Sequence, residues 1–428
     1  MSPTQQPQLV PGRESTPPKP VEKSEIDVKE LEKDVEKKLF NFVKTWILLP
    51  LLGALISAVI IGRLIDWVVG PGSYKIYVVG NISNPEPKAI ADAFSGELPK
   101  INGTSVEIKE LDDSGDPDIA ERIASHLVTL NDTLFVVGHL QSTPTQKALP
   151  EYLEIANPPV PVILPTETNP NLLPPKSEGN YYPVFRLSPT DTNQAEKAAE
   201  FMLSKGATAI WVVEDTSNPV YSRYLAREFV SQIHKKQSAK VLLWTTNQSI
   251  PPAYAVNDLG INWVFFAGGW QNALILVRQL HTIPQTRKVN VLLSDGCVDS
   301  RLLDAGGSDV ENVYLTHPLP PDVYNQDHYA VYGKDAFQLV HQLLVDADQQ
   351  FDQLAGKDAR FAYPLRRLLG LRRVGDARRA ISHVMESAVL NNRQFSLSTG
   401  QAVFDGNSNR RNASFQVWQI KNHKFSSP

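Results

Sequence analysis

The pattern of apolar and polar positions divides the 428-residue chain into four parts. Residues 1–23 are rich in Pro, Gln, Ser and Thr and have almost nothing to bury, so we expect a disordered tail. Residues 24–45 carry apolar side chains at spacings of three and four among charged ones, which predicts an amphipathic helix. Residues 46–69 are an apolar run. From residue 74 onward, short apolar runs alternate with amphipathic ones.

The helix predicted at residues 24–45 is interpreted as a solvated helix beside a membrane. The alternative is a short parallel coiled coil that would give a weak dimer. Its apolar stripe covers only about two to three heptads, whereas about three to four are wanted for a coiled coil. This favours the first interpretation.

The apolar run at residues 46–69 is predicted to be a single transmembrane helix. No charged residue occurs from Trp46 to Gly62, and with its flanks the run reaches the roughly 20 residues that a bilayer needs. Trp46 and Trp67 bracket it, where indole rings favour the membrane interface. A cleavable signal peptide is the alternative, but the run is longer than the roughly 7–15 residues of a signal's apolar region.

Basic residues around this run indicate its orientation. Lys37, Lys38 and Lys44 precede it, and Arg63 and Lys75 follow it. The positive-inside rule therefore favours a cytoplasmic N-terminus. The remainder of the chain would then be periplasmic or extracellular, held at a bacterial inner (plasma) membrane.

The remainder is predicted to be an α/β fold. Short apolar strands separated by helices are typical of parallel sheets that are covered on both faces. Such sheets bind ligands beyond the carboxyl ends of their strands. Strands are predicted at residues 74–80, 106–111, 134–138, 160–164, 209–213, 240–245, 263–267 and 289–293. Helices are predicted at residues 87–94, 118–130, 195–205, 221–235 and 271–280.

Two predicted strand-end loops are rich in hydroxyl groups. Ser142 and Thr143 follow the strand at 134–138, where a helix start would offer donors to an anion such as a carboxylate. Thr166 and Thr168 follow the strand at 160–164, between two prolines that hold the segment extended or turned. The alternatives are a plain helix cap for the first loop and an ordinary loop for the second.

Other strand-end loops carry acids, aromatic rings and glycines. Asp295 directly follows a buried strand, where an acid needs a cationic partner, such as a ligand ammonium group. Tyr221 opens a helix towards the expected cleft. Gly269 allows close backbone approach to a ligand, and Trp270 could cover it. The alternatives are that Asp295 caps the next helix and that Tyr221 only packs in an interface.

Composition narrows the chemistry. The net charge of −4 and a pI near 6.2 give no indication of nucleic-acid binding. The single cysteine, Cys297, excludes an internal disulfide and a cysteine-based metal site. The nine histidines show no metal-ligand spacing, so no metal and no cofactor are predicted.

Four segments carry a resemblance to a known family. Residues 137–146 read Val-Gly-His-Leu-Gln-Ser-Thr-Pro-Thr-Gln, and residues 165–172 read Pro-Thr-Glu-Thr-Asn-Pro-Asn-Leu. Residues 185–189 read Phe-Arg-Leu-Ser-Pro, and residues 404–407 read Phe-Asp-Gly-Asn. Together they resemble the type I periplasmic binding proteins, in particular the leucine/isoleucine/valine-binding branch that supplies substrate to amino-acid ABC transporters.

The resemblance implies a pocket for a zwitterion. Ser142 and Thr168 would hold the ligand carboxylate by hydroxyl and backbone N–H groups. The Thr166 carbonyl and the Asp295 carboxylate would hold the ammonium group. The other lobe's side of the pocket would be lined by Tyr221, Gly269 and Trp270.

The resemblance also implies two Rossmann-like lobes joined by three hinge crossovers, near Ser188, His317 and Asn392. Lobe one would combine residues 74–189 with 318–391, and lobe two residues 190–315 with 394–424. Closure of the lobes over the ligand is the expected motion.

Two departures from the family pattern affect the ligand's side chain. The family carries glutamate where Asp295 stands. The first strand's loop, residues 80–87, lacks the family's Ser-Gly-Pro start and is compressed. Because that loop contacts the ligand side chain in the family, the resemblance does not predict which side chain is bound.

One segment has no counterpart in the family pattern. Residues 361–379 contain three arginine pairs. They are interpreted as a solvated helical face. A docking surface for anionic lipid headgroups or an acidic partner is the alternative.

Three classes of function compete. The first is a membrane-anchored receptor for a small solute, an amino acid or a related molecule, that works with an ABC permease or a signalling partner. The second is a sensory or structural envelope protein with a degenerate pocket. An enzyme is the least favoured, because no nucleotide-binding or hydrolase motif occurs at the strand ends.

Overall fold

The structure is a computed structural model that describes residues 71–173, 181–236, 240–245, 258–319, 327–355 and 373–426, with a few single residues between Lys37 and Ser57. The tail predicted at residues 1–23 lies outside the described residues, as do nearly all of the helix predicted at 24–45 and of the apolar run at 46–69. Within the described part of the chain, no helix has the length and apolar character to cross a bilayer.

The first half of the region from residue 73 onward is built on a five-stranded parallel sheet in the order β2-β1-β3-β4-β5. The central strand β3 is buried along its whole length, as expected for a strand covered on both faces. The strands are β1 (Ser73–Gly80), β2 (Ser105–Asp112), β3 (Thr133–Gly138), β4 (Val162–Leu164) and β5 (Val184–Arg186).

A second sheet has seven strands in the order β14-β13-β10-β9-β8-β6-β7. Strands β6 to β10 are parallel to one another, and β13 and β14 join antiparallel at one edge. The strands are β6 (Ala209–Glu214), β7 (Lys240–Thr245), β8 (Trp263–Ala267), β9 (Asn290–Leu293), β10 (Tyr314–His317), β13 (Gln416–Lys421) and β14 (Lys424–Ser426). A separate hairpin pairs β11 (Phe395–Leu397) with β12 (Gly400–Ala402).

Helices follow most of the parallel strands. The helices of the first half are α1 (Pro85–Ala93), α2 (Pro117–Leu127) and α3 (Ser142–Pro150). Those of the second half are α4 (Asp191–Ser204), α5 (Pro219–Lys236), α6 (Trp270–Thr282) and α7 (Ser300–Gly306). The C-terminal helices are α8 (His328–Gln349), α9 (Phe351–Ala355) and α10 (Val374–Leu390).

Each sheet carries an apolar cluster on both of its faces, which confirms the predicted α/β architecture. On the first sheet, one cluster contains the buried faces of α8 and α10, and the other contains those of α2 and α3. The chain therefore returns to the first sheet after completing the parallel part of the second. All eight predicted strands and all five predicted helices are present within a few residues, whereas β5, β10 and the elements beyond residue 317 were not predicted.

The β11–β12 hairpin lies with the first sheet. Phe395, Leu397, Ala402 and Phe404 belong to the apolar cluster that contains α8 and α10. Residues 394–424, predicted as one piece of the second lobe, are therefore divided, and only the part from Gln416 joins the second sheet. A short hairpin with two buried positions gives no clear periodicity, so its packing beside α8 and α10 was not predicted from the sequence.

The last of the three arginine pairs is not a solvated face. Arg378 on α10 is 4% exposed, and its Nε donates to the Thr133 carbonyl of β3 at 2.7 Å. Burial lowers the pKa of Arg378 to about 10. Arg379 pairs with Asp376 one turn earlier. Arg378 therefore fastens α10 to the first sheet, whereas Arg379 pairs within the helix, and residues 361–372 lie outside the described residues.

Candidate functional site

Loops from the carboxyl ends of both sheets line one cavity of about 420 Å³. The walls come from residues that follow β1, β3, β4 and β5 in the first sheet and β6, β8, β9 and β10 in the second, together with the start of α8. This is the position at which open α/β sheets bind ligands. The volume is in the range of small-molecule pockets, roughly 300–1,000 Å³.

Seven of the eight predicted site residues line this cavity. They are Ser142, Thr166, Thr168, Tyr221, Gly269, Trp270 and Asp295. The eighth, Thr143, lies beside it: its Oγ1 donates to Asn218 Oδ1 at 2.6 Å and accepts from the Val220 N–H at 3.4 Å. Thr143 thus connects α3, on the first sheet, with the start of α5, on the second.

Asp295 is a half-buried acid whose carboxylate accepts from two neutral side chains. Tyr221 Oη donates to Asp295 Oδ1 at 2.5 Å, and Gln194 Nε2 donates to the same oxygen at 2.8 Å and to Thr316 Oγ1 at 2.7 Å. Burial raises the pKa of Asp295, and the Tyr221 and Gln194 bonds act in the opposite direction. No ion-pair partner of Asp295 occurs among the described residues. A carboxylate in this setting is suited to a cationic ligand group.

Asp295 does not cap the following helix, which was the alternative interpretation. Asp299 takes that role, since its Oδ1 accepts from the Arg301 N–H at 2.7 Å at the start of α7. The Asp295 carboxylate instead accepts from the backbone N–H groups of residues 295 and 296 in the short turn before α7, and the residue lines the cavity.

A second buried acid, Asp191, lies behind Asp295 at the first residue of α4. It is fully buried, and its pKa is raised well above the ordinary value, first by burial and then by the neighbouring Asp295. When both are ionised the two acids repel each other, while the buried Arg186 guanidinium acts on Asp191 in the opposite direction. A ligand cation would relieve that repulsion.

The hydroxyl loops are fastened to each other by Glu167, which was not predicted as a site residue. Its carboxylate accepts from the Leu140 N–H at 2.9 Å, the Thr166 N–H at 3.0 Å and Thr145 Oγ1 at 3.2 Å. Thr166 Oγ1 donates in turn to the Leu140 carbonyl at 3.1 Å. Burial raises the pKa of Glu167. The loop after β3 therefore takes its position from the loop after β4.

His139, the histidine of the first family motif, does not line the cavity. Its Nδ1 lies 2.8 Å from Asp113 Oδ2 and its Nε2 lies 2.9 Å from Tyr152 Oη, and all three side chains are buried. The motif's histidine therefore links three segments of the first half and supports the loop from below.

Asp215 has a similar supporting role in the second half. Its carboxylate accepts from the Gly269 N–H at 3.0 Å and from Asn272 Nδ2 at 2.9 Å. A Cβ on Gly268 would lie 2.2 Å from Asp215 Cβ, so only glycine fits there. At Gly268 the space is taken by a protein side chain, and both Gly268 and Gly269 line the cavity, where close approach of Gly269 to a ligand stays a prediction.

Another part of the cavity wall carries an ion cluster that was not predicted. Arg301 donates to both oxygens of Asp299, with NH2 to Oδ2 at 2.7 Å, and it also pairs with Glu86. Its guanidinium carbon lies 5.0 Å from the centre of the Trp270 ring. Because Glu86 belongs to α1 and Arg301 to α7, this cluster joins the two halves at the edge of the cavity.

The compressed loop after β1 also reaches the cavity. Asn81, Asn84 and Pro87 line it together with Glu86. Polar amides and a carboxylate therefore take the place where the family pattern has Ser-Gly-Pro. The segment that lacks the family's Ser-Gly-Pro start, residues 80–87, thus forms part of the cavity wall.

Two α/β sheets that share one ligand-sized cavity at their strand ends define a binding protein of the two-lobed type. The family model described as "Periplasmic binding protein" matches residues 79–342, more than half of the chain. The chain belongs to this family, which confirms the resemblance indicated by the four motifs. It is accordingly a ligand-binding protein and not an enzyme.

Individual relatives agree with this placement. An amino acid binding protein of Pseudomonas aeruginosa is 26% identical over 228 residues, which are 52% of this chain and 58% of that protein. The chain thus spans little more than half the length of that curated relative.

Solved structures share the fold at low sequence identity. The leucine-binding protein LivK of Thermotoga maritima has a TM-score of 0.63 at 19% identity, covering 82% of this chain and 97% of that one. LivJ of Streptococcus pneumoniae, in complex with isoleucine, has a TM-score of 0.59 at 16% identity, and the match covers 83% of this chain and 98% of that one. A solute-binding protein of R. palustris in complex with benzoate has a TM-score of 0.58 at 15% identity, and the match covers 83% of this chain and 95% of that one. The last of these shows that the fold alone does not determine the ligand.

Proposed function

We propose that this chain is a receptor that closes on a free α-amino acid. The observation that carries the proposal is Asp295: a half-buried carboxylate, oriented by Tyr221 and Gln194, that lines a cavity of about 420 Å³ and has no ion-pair partner among the described residues. A buried carboxylate without a cationic partner is unfavourable in an empty site and favourable beside a ligand ammonium group.

The hydroxyl loops supply the complementary half of the site. Ser142 begins α3 and Thr168 lies in the loop after β4, and both line the cavity. Helix starts and hydroxyl groups suit the ligand carboxylate. The Thr166 carbonyl is assigned to the ammonium group together with Asp295. Tyr221, Gly269 and Trp270 form the wall contributed by the second sheet.

Relatives support amino-acid binding and uptake. The Pseudomonas relative is named an amino acid binding protein, and LivK and LivJ are named for branched-chain amino acids. We propose delivery to an ABC permease as the output. A signalling partner is the alternative output.

Closure is assigned to the three chain crossings between the halves. Two of them lie near Ser188 and His317. For the third we replace the region near Asn392 by residues 405–415, because Phe404 still packs on the first sheet while Gln416 already pairs in the second. Lobe one then comprises residues 74–189 and 318–404, and lobe two residues 190–315 and 416–424.

The apolar run at residues 46–69 is proposed as the membrane anchor, with a cytoplasmic N-terminus and a periplasmic or extracellular body. Its support is the uncharged sequence from Trp46 to Gly62. Membranes from a bacterium expressing the full chain should retain it through an alkaline carbonate wash. Release of the chain by that wash would contradict the anchor.

The binding proposal is tested by thermal unfolding of the full chain in detergent with each of the twenty amino acids. At about 100 times its Kd, a bound ligand adds about 2.7 kcal/mol to the free energy of unfolding. At least one amino acid should raise Tm in the wild type and have no effect on Asp295→Asn. Asp304→Asn, an exposed acid on α7, is the matched control and should respond like the wild type.

A stabilising amino acid that acts equally on Asp295→Asn would contradict the assigned pocket. If no amino acid raises Tm, the alternative of an envelope protein with a degenerate pocket gains support, and a search among non-amino-acid solutes would follow.

A further inference from the structure

Glu86, Asp299 and Arg301 form one part of the cavity wall, here called the charged end. Its charges bear on which side chain a bound ligand can carry. Arg301 is engaged by Asp299 through its backbone N–H, Nε and NH2 groups. It also contacts Glu86 and stacks on Trp270. The guanidinium is thus already paired by the protein and has few donors left for a ligand.

Formal charge at the charged end is unbalanced. Two carboxyl groups, of Glu86 and Asp299, are matched by one guanidinium group. Their side chains are only 14% and 4% exposed, so solvent compensates little of the excess. Including Asp295, the cavity lining carries three acids and one permanent cation. His328, also in the lining, stays neutral because burial lowers its pKa well below the ordinary value.

The imbalance has a visible consequence at Glu86. Burial, and then a hydrogen bond shared with Asp299, raise the pKa of Glu86 to about 7, with Arg301 acting in the opposite direction. Glu86 therefore exchanges its proton near neutral pH, beside the Asp299 carboxyl group in the wall of the cavity. Of the other groups nearby, Tyr329 on α8 is held neutral by burial, and Lys88 of α1 is engaged by Asp92 and Glu110.

We propose that the charged end selects amino acids with a cationic side chain, an ammonium or a guanidinium group, which takes the place of the Glu86 proton. This inference rests on the proposed function, because it assumes that the α-ammonium group lies at Asp295. Glu86 and Asp299 are then the residues that determine specificity. Asn81 and Asn84 beside them supply neutral acceptors.

Other side-chain classes fit less well. An acidic side chain would meet two carboxylates and a guanidinium that is already paired. An aliphatic side chain would cover the amide groups of Asn81 and Asn84 without giving them hydrogen bonds. A site built to bond a polar group discriminates strongly against an analogue that lacks it.

The test is isothermal titration of the full chain with L-lysine, L-arginine, L-glutamine, L-leucine and L-glutamate. Lysine or arginine should bind at least about tenfold more tightly than the other three. Glu86 must lose its proton to hold the cation, so affinity for the basic ligands should rise as pH increases through about 7 and then level off. Buffers of different ionisation enthalpy should reveal a proton released on binding.

The variant Glu86→Gln tests whether Glu86 selects the ligand side chain or only connects the two halves through Arg301. It should weaken lysine and arginine binding about tenfold, remove the proton release, and leave glutamine affinity within about twofold. Glu97→Gln, an exposed acid beyond the end of α1, is the matched control and should leave all affinities unchanged.

Two outcomes would overturn the inference while leaving the proposed function intact: a preference for leucine or glutamate, and an equal loss for all ligands in Glu86→Gln. The second would show that Glu86 only joins the halves. Failure of lysine and arginine to bind a chain that another amino acid stabilises would also overturn the inference, whereas failure of all twenty amino acids would contradict the proposed function on which it depends.

Discussion

The two ends of the cavity are built in different ways. At the end around Asp295, the ligand-facing groups sit on short loops directly after strands, and neutral donors from Tyr221 and Gln194 orient the acid. At the charged end, Glu86 and Arg301 come from helices α1 and α7 on different sheets and meet only in the folded chain. The first end is suited to a feature that every amino acid has, and the second to one that distinguishes amino acids.

The largest effect expected from this comparison is on ligand affinity. Asp295→Asn should weaken every amino acid by about 100-fold or more, because a buried charge pair loses one partner. Glu86→Gln should weaken only ligands with a cationic side chain, by about tenfold. Titration of both variants with L-lysine and L-glutamine measures the contrast. The two ends would not differ in role if both variants weakened both ligands alike.

Glu167 should matter to stability more than any ligand-lining hydroxyl. In Glu167→Gln, an amide NH2 replaces one of the oxygens that accept from Leu140, Thr166 and Thr145. We expect a loss of about 2 kcal/mol in the free energy of unfolding, since a buried donor is left unpaired. Urea denaturation measures this, with Glu97→Gln as the exposed control. An unchanged midpoint would show that the loops do not depend on this acid.

Asp191→Asn should stabilise the protein, unlike Glu167→Gln. We expect it to add about 1 kcal/mol to the free energy of unfolding at neutral pH. The pKa of Asp191 is raised above its ordinary value of 3.8, so its contribution to stability is fully present below that value and is lost as pH rises through the folded-state pKa. The gain from the variant should therefore be small near pH 4 and largest at pH 7–8. Urea denaturation at both pH values tests this, and a gain that is independent of pH would contradict the assigned burial effect.

The smallest effect is expected at Thr143. Thr143→Val removes the hydroxyl that contacts Asn218 and Val220 across the cavity's edge while keeping the side-chain shape. The closed form should lose roughly 0.5–1.5 kcal/mol, so that a bound amino acid dissociates several-fold faster. Stopped-flow release measures the rate, with Thr129→Val on the exposed surface as the control. An unchanged rate would place the closing contacts elsewhere.

Sequence alone located eight of the twelve strands of the two sheets and seven residues of the cavity wall. This succeeded because strand-end motifs are continuous: Ser142 and Thr168 lie in segments whose residue types and spacing are informative without knowledge of the fold. Asp295 was identified by the physical cost of an acid directly after a buried strand.

The charged end could not be predicted in the same way. Nothing in the local sequence distinguishes Arg301 from a solvated arginine near the start of a short helix, and Glu86 lies 215 positions away from it along the chain. Glu167 was overlooked for a different reason. It sits inside a recognised motif, but its side chain faces the supporting hydrogen bonds and not the cavity.

The most direct test of the central claim is titration of the full chain, wild type and Asp295→Asn, with L-lysine, L-leucine and their Nα-acetyl derivatives. Acetylation removes the ammonium group that Asp295 is proposed to hold and leaves the side chain intact. The account predicts that at least one free amino acid binds the wild type with saturable 1:1 heat, while its acetyl derivative and the Asp295→Asn variant each bind at least about 100-fold more weakly. It would be contradicted if neither free amino acid bound, or if the acetyl derivative bound the wild type as tightly as its parent.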